Sequence, residues 1–169
     1  MIKKLLMAVL LAAPMCLSAQ TLKFGTVNTT ELFNVMPEKA TAENTLKAAS
    51  EKYDAEFKRL QEDFQKDYEA FQKMQNDSTP EPMRARREQE LQEKYQKIQS
   101  FQQIAAQDLQ KQQETLLAPI QAKLQQAIQA VGAENGFTYI FDLAIPSIIY
   151  KGNGSEDVTA LVKAKLGIK

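Results

Sequence analysis

The 169-residue chain predicts a mainly α fold with a small β part: a long antiparallel coiled-coil helical hairpin projecting from a small β-sheet body that oligomerises. Three observations predict it. Residues 40–77 contain no Gly or Pro and carry apolar side chains at steps alternating near three and four, as one face of a helix requires. A second pattern of the same kind begins directly behind a cluster of turn formers at 76–82. Aromatic and β-branched residues gather outside this pair, at 20–38 and 132–169, where short strands are expected.

At the N-terminus, Lys3 and Lys4 precede an apolar run from Leu5 to Leu17, followed by Ser18-Ala19-Gln20. This order of charge, apolar core and small residues is that of a secretory signal peptide over residues 1–19, cleaved after Ala19. The run of about 13 residues is short of the roughly 20 that a membrane-spanning helix needs. Cys16, the only cysteine, follows Pro14 and Met15 rather than the small residues expected before a lipid attachment site. The exported chain is thus expected to hold no thiol and no disulfide. Without Lys3 and Lys4 its basic residues fall from 21 to 19 against 21 acidic ones, close to neutrality.

Leu22–Asn28 alternates as a strand, with Leu22, Phe24, Thr26 and Asn28 on one face and Lys23, Gly25 and Val27 on the other. Leu32, Phe33 and Val35 follow as a brief helical turn that Pro37 is expected to close. The first long helix starts near Ala40 with an apolar seam of Leu46, Tyr53, Phe57, Leu60, Phe64, Phe71 and Met74, broken at Asp67. Asn76–Pro82 forms the hairpin tip. The second helix spans about Met83 to Val131, with Leu91, Tyr95, Ile98, Ala105, Leu109 and Leu116 broken by Gln102 and Gln112. Its seam continues through Ile120, Leu124, Ala127 or Ile128, and Val131, shifted as by a stutter. Pro119 is expected to bend the helix and act as a hinge. At 1.5 Å per residue the two helices measure about 57 and 73 Å, so the arm, residues 39–131, extends far beyond a small core.

Gly132, Asn135 and Gly136 end the second helix, and Phe137–Asp142 reads as the second strand. Ile148-Ile149-Tyr150 is assigned as the third, Gly152–Ser155 as a turn, and Asp157 as the cap of a last helix from Val158 to Leu166. The body therefore comprises 20–38 and 132–169. Three short strands bury little, so the apolar rows Phe24, Phe137, Tyr139, Phe141, Ile149 and Tyr150 need a cover, and self-association through the base supplies it.

The chain has no His or Trp, and its one Cys lies in the signal segment, so the usual general base and strongest nucleophile are missing. An enzyme is not expected, and no catalytic residue, metal or cofactor is assigned. None of the six glycines opens a phosphate loop. Acidic residues stand three or four positions from Lys or Arg, as in Glu62 with Lys66 and Glu90 with Lys94, which reads as a solvated helix face. Arg84, Arg86 and Arg87 with Lys73 form a basic cluster at the tip, either a solubilising cap or an attraction for anionic segments and lipid headgroups. Phe57, Phe64 and Phe71 read as seam packing. Tyr68, Met74 and Met83 sit where the seam thins, and pliable Met side chains suit varied apolar segments. A nearly neutral exported chain is not expected to bind nucleic acid.

Taken in order, the signal segment, Val27-Asn28 with Leu32-Phe33 and Pro37, the long hairpin, Gly136-Phe137 to Asp142, Tyr150 and Asp157-Val158-Thr159 resemble the Skp/OmpH family of periplasmic chaperones. The resemblance covers essentially the whole chain after the signal. It implies a periplasmic homotrimer that holds unfolded outer-membrane β-barrel proteins between its arms without ATP. It further implies that Phe24, Val27, Phe33, Tyr139, Phe141 and Tyr150 build the trimer body and that the arms touch clients, for which Tyr68, Met74, Met83, Arg84, Arg86 and Arg87 are the candidates read from the seam and the tip. Well-known members are strongly basic whereas this chain is not, so contact with membrane lipids or lipopolysaccharide is expected to be weak and confined to the tip arginines. The rival reading is a structural coiled-coil spacer of the cell envelope.

Overall fold

The computed structural model describes residues 22–75 and 79–168; the signal segment at 1–19 and the centre of the tip at 76–78 lie outside the described residues. Along the chain run β1 (Phe24–Val27), α1 (Thr29–Val35), α2 (Pro37–Gln75), α3 (Glu81–Glu134), β2 (Tyr139–Asp142), β3 (Ser155–Asp157) and α4 (Thr159–Leu166). The fold is mainly helical with one small sheet of order β2-β1-β3, all parallel. Parallel neighbours need a crossover connection. Between β1 and β2 the crossover is the entire helical hairpin; between β2 and β3 it is the loop 143–154.

The helices are longer than expected, 39 and 54 residues, or about 58 and 81 Å. Pro37 closes the preceding helix, the residue before it, Met36, being extended at ψ 127°, and it is also the first residue of α2. A proline at the first helical position loses nothing, because that N–H has no partner within the helix. The short helix before it is a full seven residues. Asn28 caps it, its Oδ1 accepting from the Glu31 backbone N–H at 3.2 Å while its Nδ2 donates to Glu31 Oε1 at 2.9 Å. At the far end α3 continues through Gly132 to Glu134, and Asn135 closes it with Gly136 at φ +68°. The helix also runs through Pro119 without a break.

The third strand is misplaced by the sequence reading. Ile148, Ile149 and Tyr150 lie in the loop, and the strand is Ser155–Asp157, assigned above to a turn and a helix cap. β3 is selected by backbone pairing to β1, Phe24 with Ser155 and Thr26 with Asp157, rather than by any apolar alternation of its own. Asp157 still serves α4, its Oδ1 accepting from the Thr159 N–H at 2.9 Å.

The core sits where the sheet meets the open end of the hairpin. Val27, Leu32, Met36, Ala42, Ile120, Leu124, Ala127, Val131, Val158, Val162 and Leu166 form one buried cluster. Gly25 makes the sheet's approach possible: a Cβ there would lie 3.1 Å from both Ile140 and Val158 side chains. Phe137, expected to be an exposed row member, packs against this core with the Lys23 ammonium 4.0 Å from its ring. Beyond the core, Leu60, Leu91 and Ala105 are the buried apolar residues of the long helices among those described.

Candidate functional site

β1 turns Val27 into the core and leaves Phe24 on the opposite face of the sheet. In the parallel register Phe24 stands beside Tyr139 and Thr26 beside Phe141, so three rings meet: Phe24–Tyr139 at 6.3 Å, Phe24–Phe141 at 6.1 Å and Tyr139–Phe141 at 6.0 Å. This aromatic patch is open, with Tyr139 60% exposed. The loop brings Tyr150, 85% exposed, to the rim of a shallow hollow of about 410 Å³ that Phe24, Phe141 and Ile148 also line. Phe24, Tyr139, Phe141 and Tyr150 are thus brought together. Val27 and Phe33 are not among them: Val27 is core, and Phe33 packs against the core in a groove with Leu124 and Ile128.

Asp142, at the end of β2, fastens the sheet to α1. Its Oδ1 accepts from the backbone N–H groups of Thr29 at 3.1 Å and Ala144 at 3.0 Å, and its Oδ2 from the Thr29 hydroxyl at 2.5 Å. Burial pushes this carboxyl up, but the Thr29 and Ala144 donors outweigh it and hold the group below the usual carboxylate range. Sequence reasoning passed over Asp142 because it read only as the polar end of a strand.

On the hairpin, partners across the two helices keep a constant antiparallel register. Glu38 pairs with Lys123, Tyr53 Oη donates to Asp108 Oδ2 at 2.6 Å, and Asp67 pairs with Lys94. Fifteen residues separate Glu38 from Tyr53 and fifteen separate Lys123 from Asp108; fourteen separate Tyr53 from Asp67 and fourteen Asp108 from Lys94. Gln112 also donates to Asp108, and the Tyr53 and Gln112 donors hold the Asp108 carboxyl below its ordinary range against burial. Asp67 and Gln112, expected to interrupt the seam, therefore sit at its polar cross-links, a use of seam positions that specifies register. Gln102 is exposed. Between these bridges Phe64 meets Tyr95 at 6.2 Å and Tyr53 meets Phe101 edge-on at 6.0 Å.

Toward the tip, Tyr68 is 41% and Met83 55% exposed, while Met74 is half-buried and Tyr68 stacks on Phe64. The basic cluster is largely paired: Arg84 with Glu81, and Arg86 and Arg87 with Glu90 at 3.0 and 2.7 Å. The tip is therefore a mixed-charge surface. The ion pairs expected along the helices are also reassigned, Glu62 facing Lys58 and Lys94 facing Asp67. Tyr95, read as a seam residue, is exposed, and Ile104, which the sequence reading did not single out, is 63% exposed. Ile104 falls off the heptad seam, and an off-seam Ile in a Gln-rich stretch was the signal that could have found it. Pro119 is exposed and, lacking an N–H, leaves the Thr115 carbonyl without its helical donor.

Among the described residues no group of three or more His, Cys, Asp or Glu could hold a metal ion, and no helix is long and apolar enough to cross a membrane. The family model "Outer membrane protein (OmpH-like)" matches residues 23–166. No curated protein matches the chain. A crystal structure of a candidate outer membrane chaperone (OmpH-like) from Caulobacter crescentus CB15 has the same fold, with a TM-score of 0.73 at 15% identity over 86% of this chain and 83% of that one. OmpH-like chaperones are non-enzymatic. A match over nearly all of the described chain, on the fold found here, places this protein in the OmpH-like (Skp) family of periplasmic chaperones.

Proposed function

We propose that this protein is an ATP-independent holdase of the periplasm, exported by a cleaved signal at 1–19, that keeps unfolded outer-membrane β-barrel proteins from aggregating. The observation that carries this reading is the separation of two unfinished apolar surfaces: an open aromatic patch at the base and scattered, half-exposed apolar side chains along the arm. The first suits permanent burial against copies of the same patch. In this reading 20–38 and 132–169 form the body of a homotrimer, with Phe24, Tyr139, Phe141 and Tyr150 at the contact and Val27 and Phe33 supporting it from the protomer's core.

The second surface suits weak, plural contact. An unfolded β-barrel chain presents alternating apolar residues that aggregate by strand pairing, and a cavity walled by three coiled-coil arms would prevent this by exclusion rather than by tight grip. Tyr68, Met74 and Met83 would touch apolar client segments. Arg84, Arg86 and Arg87 would meet anionic segments, with any lipid or lipopolysaccharide contact weak because Glu81 and Glu90 offset two of the three charges. Pro119 would be the hinge that lets the arms, 39–131, admit clients of different size.

The test is the mass in solution of the exported chain, alone and mixed with a urea-unfolded outer-membrane β-barrel diluted into buffer without ATP, with turbidity followed in parallel. A trimer that forms a soluble complex and keeps the mixture clear is expected. A monomer or dimer that leaves the barrel to precipitate would overturn the reading in favour of an envelope spacer.

A further inference from the structure

The chain contains two identical Asn-Gly dipeptides, Asn135-Gly136 and Asn153-Gly154, and the fold treats them differently. Asn135 is the C-cap of α3. Its backbone N–H and its side-chain Nδ2 both donate to the Val131 carbonyl, at 3.1 and 2.9 Å, and the Phe137 N–H donates to the Gly132 carbonyl at 3.0 Å, so the turn after it is closed as well. Asn153 lies in the exposed turn that leads into β3. No hydrogen bond holds its side-chain amide among the described residues, and apart from the glycine itself and its two chain neighbours no described atom comes within 4 Å of where a Cβ on Gly154 would stand.

We propose that Asn153 is a site of spontaneous deamidation and that the helix cap protects Asn135 from the same reaction. Glycine is the following residue that least obstructs the reaction, because with no Cβ its backbone nitrogen approaches freely and its φ and ψ can follow. The Gly154 backbone nitrogen attacks Asn153 Cγ and gives up its proton, forming a C–N bond. The bond from Cγ to the side-chain nitrogen breaks, and that nitrogen leaves as ammonia. Water then opens the five-membered imide at either carbonyl, leaving aspartate or isoaspartate at 153. At Asn135 the hydrogen bonds to Val131 fix both the side chain and the backbone that would have to rotate to bring Cγ onto the next nitrogen.

The position gives the reaction a structural consequence. Ser155 follows directly, pairs with Phe24 in β1, and ties the turn by donating from Oγ to the Gly152 carbonyl at 3.3 Å. Either product adds a negative charge two residues before Ser155, near the Lys23–Glu156 ion pair. Isoaspartate also lengthens the backbone by one methylene, which displaces the register at the start of β3. The modified turn borders the hollow that Phe24, Phe141 and Tyr150 line, so the change falls at the base.

Cleavage at lysines separates the two sites, residues 124–151 carrying Asn135 and 152–163 carrying Asn153, which makes the test direct. The folded full chain is held in mildly alkaline buffer at growth temperature and its peptides are followed by mass spectrometry, beside a sample held in denaturing urea. In the folded sample the 152–163 peptide is expected to gain the mass of an NH₂-to-OH exchange and to split into aspartate and isoaspartate forms, while 124–151 stays unchanged. In urea both peptides are expected to change at comparable rates, and Gly154→Ala is expected to slow the change at 153 about tenfold or more, since a Cβ obstructs the attacking nitrogen without removing it. An unchanged 152–163 peptide, equal rates at the two sites in the folded chain, or persistent protection of Asn135 in urea would each overturn the proposal.

Discussion

The base and the arm of this molecule are built by different means. At the base, four side chains are under 2% exposed, Leu32, Met36, Val158 and Val162, and they come from segments more than a hundred residues apart. Along the arm, contact between the helices is a single seam of half-buried rings and aliphatic groups, registered by polar bridges whose members are themselves partly exposed: Asp67 and Lys94 are 39% and 44% exposed. The base thus has a protein interior, whereas the arm has a zip. Apolar burial dominates stability where it is complete, and exposed ion pairs contribute little beyond specificity. The difference teaches that the length of the arm is not where the fold's stability resides.

Substitutions can break or sharpen that contrast. The largest effect is expected at the base: Leu32→Ala should cost about 2–5 kcal/mol in urea unfolding, whereas the same change at Leu60, buried in a two-helix seam whose neighbours can close on the gap, should fall at the low end of that range, about 2 kcal/mol. Equal costs would dissolve the contrast. Gly25→Ala forces a methyl against Ile140 and Val158 and should destabilise by about 1–3 kcal/mol, read as a lower thermal midpoint.

Next in size is Asp142→Ala, which removes the carboxylate from the start of α1 and should cost about 0.5–2 kcal/mol. Asp142 also sets a pH dependence. Its folded pKa lies below the unfolded value, so its contribution is complete above the ordinary aspartate range near ~3.9 and is lost as pH falls through the lower folded value. Stability measured from neutral pH downward should therefore fall less steeply in Asp142→Asn than in the native chain. The smallest effect is expected at the tip, where Arg86→Ala and Arg87→Ala should each stay within about 0.5 kcal/mol, since the pairs they break are exposed.

How much of this was legible follows the same division. The two long helices were readable because their evidence is local: seam spacing, absence of Gly and Pro, and a turn between them. Their ends were not, because Pro37 reads equally as a stop for the helix before it or the first residue of the one after. It is both: Met36 before it leaves the helical region, which ends the earlier helix, and Pro37 itself opens the next. In the candidate site, the meeting of Phe24 with Tyr139 and Phe141 was foreseen as a need for cover, but Phe137 turned inward and Ile148–Tyr150 proved to be loop. The tip arginines were visible as a cluster, and their pairing with Glu81 and Glu90 was not.

By itself the sequence determined the helical hairpin and the gathering of strands at both chain ends, since periodicity and composition are properties of short stretches. Tertiary structure alone decided which segments became strands, which apolar residues became core, and where Asp142, Asp67 and Gln112 act. A parallel sheet joins residues that share no local pattern. Ser155–Asp157 carries no alternating apolar row, and it is a strand only because β1 offers it an edge of unpaired backbone groups.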